Sequence, residues 1–311
     1  MKHPLVLTFF ATHKTRIQAL VMAKSLRTFG GNLAETPIWI MMPAGHEITG
    51  PIADELRNLN VTFHTLPADP VIFAFPYASK PLAAAAAETL AENVAENLVW
   101  IDRDGIITNQ PDAFLLPNGK ILGYRPADLR NIGSPWGADL TPFWQEIYTR
   151  FEIPVEKAFQ MTTVVDQLPM HPYFNAGLLV VRPEHGLLRQ WKTDFLAHYS
   201  DPVWKPYIQQ NPAHHWLLHQ VLLTGTLLKC TMRDEIVSLP EGYNYPINLQ
   251  HAFPPGQGAR TLDQVTTGRI DQLLSEEHWR EAFEPDDPIL NWLEGVLEEF
   301  GPYYEGGWQA Y

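Results

Sequence analysis

Apolar residues along the first hundred positions fall into short blocks separated by amphipathic stretches. Leu5 to Phe10 is an apolar run interrupted only by Thr8, and behind it Ile17, Leu20, Val21 and Leu26 recur at helical spacing until Gly30-Gly31 stops the pattern. This is the pattern of a strand feeding a helix. A second strand is predicted at Ile38 to Met42, a short helix at Pro51 to Leu59, and a third strand at Val61 to Leu66. After a loop through Pro67, Pro70 and Pro76, Ser79-Lys80-Pro81 opens a helix that runs through the alanines 83–87 to about Glu96. That helix delivers the chain to the apolar strand Leu98 to Ile101, which runs into Asp102-Arg103-Asp104-Gly105.

Such alternation predicts an α/β fold with an open, mainly parallel sheet flanked by helices. Ligands of such sheets sit beyond the carboxyl ends of the strands, so Ala11-Thr12, the Pro67 loop and Asp102 to Asp104 are expected along one rim, with Lys80 nearby. Farther on, Lys120 to Tyr124 reads as a strand, 125–142 as a Pro- and Gly-rich loop, 139–150 as a helix and 153–172 as irregular. Tyr173 to Val181 reads as a buried strand, Glu184 to Tyr199 and Ala213 to Thr224 as helices, and Leu239 to Asn244 as a turn. The pattern divides the chain into a main domain over 1–255 and a helical C-terminal extension over 256–311, with helices near 270–283 and from Asp287-Pro288 onward, before an aromatic tail after Gly301.

Composition narrows the function classes. With 45% apolar and 12% aromatic residues the chain has ample material for a core, and a formal charge of -13 argues against nucleic acid or an anionic membrane as partner. A single cysteine, Cys230, rules out an internal disulfide and suits a reducing compartment, where it reads as a small buried hydrophobe. No apolar run approaches the roughly 18 residues of a membrane span. A cytoplasmic protein without an integral membrane segment is expected.

The chemistry concentrates at Asp102 and Asp104. In an extended segment, side chains two residues apart point the same way, roughly 6.6 Å apart. At about 5 Å and an effective dielectric near 20, two carboxylates repel by roughly 3 kcal/mol, so a cation or a shared proton is the usual resolution. Two chemistries compete: a divalent metal held against a diphosphate, or one carboxylate attacking a phosphate while the other moves protons. Arg103, opposite the carboxylates in such a strand, either braces the loop or reaches a phosphate. Asn175, an amide within an apolar strand, must satisfy a backbone group or meet a ligand.

Three segments in order, the βα half, Val99-Trp100-Ile101-Asp102-Arg103-Asp104 and Phe174-Asn175-Ala176-Gly177, resemble glycosyltransferases of the GT-A type, closest in style to glycosyltransferase family eight. His219-Gln220 stands where that family often has Asp-Gln, and Leu239 to Asn244 and His251 match later motifs, so that the resemblance covers about residues 4–253. It implies a Rossmann-like GT-A fold and a metal-dependent transfer of a sugar from a nucleotide-diphosphate donor, with UDP as the expected nucleotide. The acceptor (glycan, lipid, protein or small molecule) is left open. By the same resemblance Asp102, Asp104 and His251 bind Mn2+ or Mg2+, Phe10, Ala11 and Thr12 meet the nucleobase and ribose, and Lys80 reaches phosphate. Asn175, His219 and Gln220 face the donor sugar.

Two departures accompany the match. His219 replaces a carboxylate, and Ala252-Phe253-Pro254-Pro255 follows His251 where the family has Gly and Lys-Pro-Trp. They keep open a GT-A-like protein that binds a nucleotide without transfer. A second alternative is a haloacid-dehalogenase-type phosphatase, with Asp102 as nucleophile and Asp104 as general acid/base. Against it, its motif normally opens a domain, whereas here a hundred residues precede it, and Asp286-Asp287 reads as a helix cap rather than a second acidic motif.

Overall fold

The computed structural model describes residues 2–259, 261–270 and 287–300. Its strands are β1 (Val6–Phe10), β2 (Ile38–Pro43), β3 (Val61–Leu66), β4 (Leu98–Ile101), β5 (Gly105–Ile107), β6 (Leu122–Pro126), β7 (Met161–Thr162), β8 (Pro169–Met170), β9 (Phe174–Val181), β10 (Ile236–Ser238), β11 (Tyr245–Pro246) and β12 (Thr267–Arg269). Seven of them form the main sheet in the order β10-β6-β9-β4-β1-β2-β3. Only β9 runs antiparallel to its neighbours, β4 and β6. The other pairs are parallel.

Alternation along the strands splits the core into two layers. Leu7, Phe9, Val99 and Ile101 face one layer, covered by the helices Arg16–Phe29, Pro51–Asn58 and Pro288–Phe300. Val6, Phe10, Leu98 and Trp100 face the other, covered by Ser79–Ala91, Pro142–Arg150, Leu187–His198 and Leu218–Cys230. The alanine run lets Ser79–Ala91 lie close against Leu187–His198. There the buried Glu88 accepts the N–H groups of Leu188 at 3.1 Å and Arg189 at 2.8 Å, satisfying two donors of a helix start. No described helix is long and apolar enough to cross a membrane.

Several boundaries differ from those the periodicity predicts. The alanine helix stops at Ala91, and the span from Ala213 divides into Ala213–Trp216 and Leu218–Cys230. Residues 153–172 contain the hairpin β7-β8, while β10 and β11 exist because β6 and β12 pair with them. Cys230 is exposed at a helix end rather than buried, since the apolar side of that helix is turned elsewhere. The segment after 255 contributes β12, antiparallel to β5 and parallel to β11, so a boundary at 255 passes through one three-stranded sheet. Asp287 caps the last described helix by accepting from Ile289 N at 2.7 Å. Asp286, the helix expected over 271–283 and the tail after residue 300 lie outside the described residues.

Candidate active site

β4 ends at Ile101, and Asp102 to Asp104 leave it as a turn. The extended geometry expected for the two carboxylates is therefore corrected: Gly105 restarts the chain in β5, which belongs to the smaller sheet, and the chain must bend between sheets. Both ends of the bend are pinned. Asp102 N donates to Gly177 O at 2.8 Å, and Ile270 N donates to Asp104 O at 3.0 Å. Gly105 fits closely there, since a β-carbon would stand 3.1 Å from both Gly268 O and Met22 Cε.

Opposite the bend, β9 is irregular. The two steps from Tyr124 to Pro126 on β6 match five steps on β9, from Leu179 to Phe174. The shift reverses which core each side chain enters, so that Ala176 faces one layer and Leu178 the other. The Asn175 amide stabilises the irregular backbone by accepting from Gly177 N at 2.7 Å. Gln220 Oε1, from the neighbouring helix, accepts from Ala176 N at 3.1 Å. A β-carbon on Gly177 would lie 2.8 Å from Asp102 Oδ2, 3.0 Å from Asn175 Oδ1 and 3.4 Å from Asn244 Oδ1. Three oxygens thus face the bare side of one glycine.

Lys80, buried in the first turn of its helix, places Nζ 2.7 Å from Asp102 Oδ2 and over the Tyr77 ring. Tyr77, held at φ 58, also packs its ring 4.8 Å from that of His219. Burial, and then the Lys80 charge, hold the His219 imidazole well below its usual range, so it stays neutral. Its Nδ1 lies 3.0 Å from Trp216 O. A carbonyl only accepts, so Nδ1 carries the proton and Nε2 keeps its lone pair.

A family profile described as the Rhodobacterales glycosyltransferase domain matches residues 7–226. The chain belongs to this family. It is a glycosyltransferase of GT-A fold, which sets aside the phosphatase alternative. A galactosyltransferase, LgtC, solved with donor and acceptor sugar analogues, superposes with a TM-score of 0.55 at 14% identity, over 96% of this chain and 99% of that one. The bifunctional glycosyltransferase WbbM, solved in its apo form, superposes with a TM-score of 0.55 at 12% identity, over 96% of this chain and 51% of that one. No curated protein matches the sequence.

The glycosyltransferase brings most of the expected residues to one region. Because β1 lies beside β4, Phe10, Ala11 and Thr12 end on the same rim as Asp102. Ala11 N donates to Met41 O at 3.1 Å, and Thr12 N to Thr15 Oγ1 at 2.9 Å. Arg103 is buried within the turn. His251 is not brought in: residues 247–252 wind into a 3-10 helix that leaves it exposed, and among the described residues no three histidine, cysteine or acidic side chains gather where they could hold a metal. The donor set that is gathered consists of oxygens, from Asp102, Asn175 and Asn244 around Gly177, with Asp104 on the same turn. Oxygen donors fit a hard divalent cation that takes one or two carboxylates and completes its shell from phosphates.

Two residues of the site, Asp128 and Arg269, escaped the sequence reading, and a third, Asn244, entered it only as the end of the Leu239 to Asn244 motif. Asp128 accepts from Asn175 Nδ2 at 3.3 Å and forms a close ion pair with Arg269, a residue of the segment assigned to the extension. Asn244 is buried at φ 51, its backbone N–H bonded to Thr267 Oγ1 at 2.7 Å and both amide atoms without a partner. Its local signals were the turn chemistry of Glu241-Gly242-Tyr243-Asn244 and the Leu239 to Asn244 motif.

Proposed function

We propose that this glycosyltransferase moves a sugar from a nucleotide-diphosphate donor, with UDP as the nucleotide, to an acceptor, assisted by Mn2+ or Mg2+ held by Asp102 and Asp104. The observation that carries the reading is the two-carboxylate turn, fixed at both ends beside Lys80 and facing the oxygens around Gly177. When bound, such a cation neutralises the diphosphate as the leaving group departs.

The chain's own groups supply the rest. Lys80 Nζ holds one oxygen of Asp102, fixing the carboxylate and adding a buried positive charge beside the position of the phosphates. Asn175, Gln220 and Asp128 act as positioning residues, since their hydrogen bonds go to the β9 backbone and to one another. Neutral His219 offers a lone pair at Nε2, suited to accept a hydrogen bond from a hydroxyl of the donor sugar. Asn244 has an unused carboxamide for the same ligand. Phe10, Ala11 and Thr12 form the rim for nucleobase and ribose. A retaining course, as in glycosyltransferase family eight, needs no strong base, and stabilisation of the departing diphosphate then dominates.

The test is UDP release from a panel of UDP-sugars with and without Mn2+, in the wild type and in Asp104→Asn. Metal-dependent release that falls at least about 100-fold in the variant, with its circular dichroism unchanged, is the expected result. Release that ignores both the metal and the substitution sinks the reading.

A further inference from the structure

A cleft of about 810 Å³, within the roughly 300–1,000 Å³ typical of small-molecule sites, opens at the end of β6. Its base is the end of β6 and its walls are the β7-β8 hairpin and the loop 253–259. It shares two partitions with the site described above. Tyr245 lines the cleft while its chain neighbour Asn244 faces Gly177 and Asp102. Arg125 lines it while Asp128, three residues on, engages Asn175 and Arg269. The cleft therefore borders the carboxylate site through neighbouring residues of the same two segments.

The lining has the chemistry of a sugar site with a charge bias. Tyr245 and Phe253 stack at 5.4 Å and 10°, giving the wall an aromatic element, and Thr162 and Gln167 add neutral hydrogen-bonding groups. Arg125 is buried to 7% exposure. Its Nη1 donates to Leu239 O at 2.8 Å, and its Nε has no partner. Nε is itself buried, so what the cleft can meet of this group is the outer, Nη edge of the guanidinium, which carries four of its five donors. Arg233 and Glu241 also line the cleft, leaving two positive side chains against one negative. Asp128 is the remaining charge near Arg125 and is committed to Arg269. A single surplus positive charge matches one carboxylate better than a phosphate monoester, which carries about -1.5 to -2 at neutral pH.

We propose that this cleft is the acceptor subsite of the glycosyltransferase and that it takes a carbohydrate bearing a carboxylate, a uronic acid unit paired with Arg125 and Arg233. As an assignment of the acceptor it rests on the donor reading above, but its binding chemistry is tested separately. The full-length protein is titrated calorimetrically with cellobiouronic acid, with cellobiose, which differs only by a hydroxymethyl in place of the carboxylate, and with cellobiose 6'-phosphate. The uronate is expected to bind at least about tenfold tighter than cellobiose. That preference should shrink to about threefold or less in Arg233→Gln, an exposed position that spares the fold, and vanish in Arg125→Met. Equal affinities for uronate and cellobiose, tighter binding of the phosphate, or no binding of any of the three overturns it. UDP release from UDP-sugars, measured in parallel, separates the two readings. Uronate selectivity without UDP release in the wild type leaves a carboxylate-sugar site and removes the donor reading, whereas UDP release without uronate selectivity removes only this proposal.

Discussion

Gly177 is where the absence of a side chain matters most. A methyl group there would meet Asp102 Oδ2 at 2.8 Å and Asn175 Oδ1 at 3.0 Å, closer than non-bonded carbon and oxygen tolerate. Both atoms are committed, one to Lys80 and the other to the Gly177 N–H itself. Gly177→Ala must therefore displace the carboxylate rather than a loose side chain. We expect donor turnover to fall at least about tenfold while thermal unfolding shifts little, because the site and not the core is disturbed. Unchanged kinetics would remove Asp102 and Asn175 from the working geometry. At this scale residue types were legible in the sequence but their partners were not. Asp102, Lys80 and Asn175 stood out by charge or by polarity within apolar runs, whereas Asp128 and Arg269, 141 residues apart, carry no mutual signal.

At the scale of elements, the contact between Ser79–Ala91 and Leu187–His198 holds an ionisable group at its centre. Glu88 is fully buried, and burial pushes its carboxyl up to about 7 against the opposing pull of the Arg189 and Leu188 N–H groups and the Arg189 charge. The folded state therefore binds a proton more tightly than the unfolded chain. This stabilisation is complete below pH 4.5 and is lost as the pH rises through 7. It amounts to something on the order of 3 kcal/mol. Urea unfolding from pH 4.5 to 8 should show wild-type stability declining relative to Glu88→Gln over that window. Parallel profiles would mean that the carboxyl is already ionised throughout. The helices themselves follow from local spacing. Their exact ends do not, because the break at Leu217 and the early stop at Ala91 are set by what each turn packs against.

For the whole molecule, the question is whether residues 1–255 form a self-sufficient unit. Thr108 and Asn109 send side-chain hydrogen bonds to Val265 O, β5 pairs with β12, and Arg269 neutralises Asp128 beside Asn175. The helix Pro288–Phe300 buries Ile289, Leu293 and Val296 in the same core as the helix Arg16–Phe29. At roughly 1.5–3 kcal/mol for each large apolar side chain withdrawn from water, these and Val265 contribute an amount comparable with the 5–15 kcal/mol stability of a domain. A chain ending at residue 255 is expected to aggregate or to lose cooperative unfolding, as read by size exclusion and circular dichroism. A monomeric, cooperatively folded 1–255 would show instead that the later segment is an ornament.

Residue order alone encodes the alternation of strands and helices, the sheet flanked by helices and the arrival of two carboxylates at the end of β4. Each of these follows from the spacing of apolar residues over a few turns or strands, and burial acts on that spacing directly. The glycosyltransferase family was legible for the same reason, since its motifs lie on those elements in a fixed order. Long-range packing sets the bend of Asp102 to Asp104, the register shift of β9 that presents Asn175 and Gly177, and the exposure of His251 on its 3-10 helix. It also decided that Asn244 and Arg269 enter the site. These outcomes depend on which strand pairs with which, at what register, across separations as long as the 166 residues between Asp104 and Ile270. No local periodicity encodes that pairing.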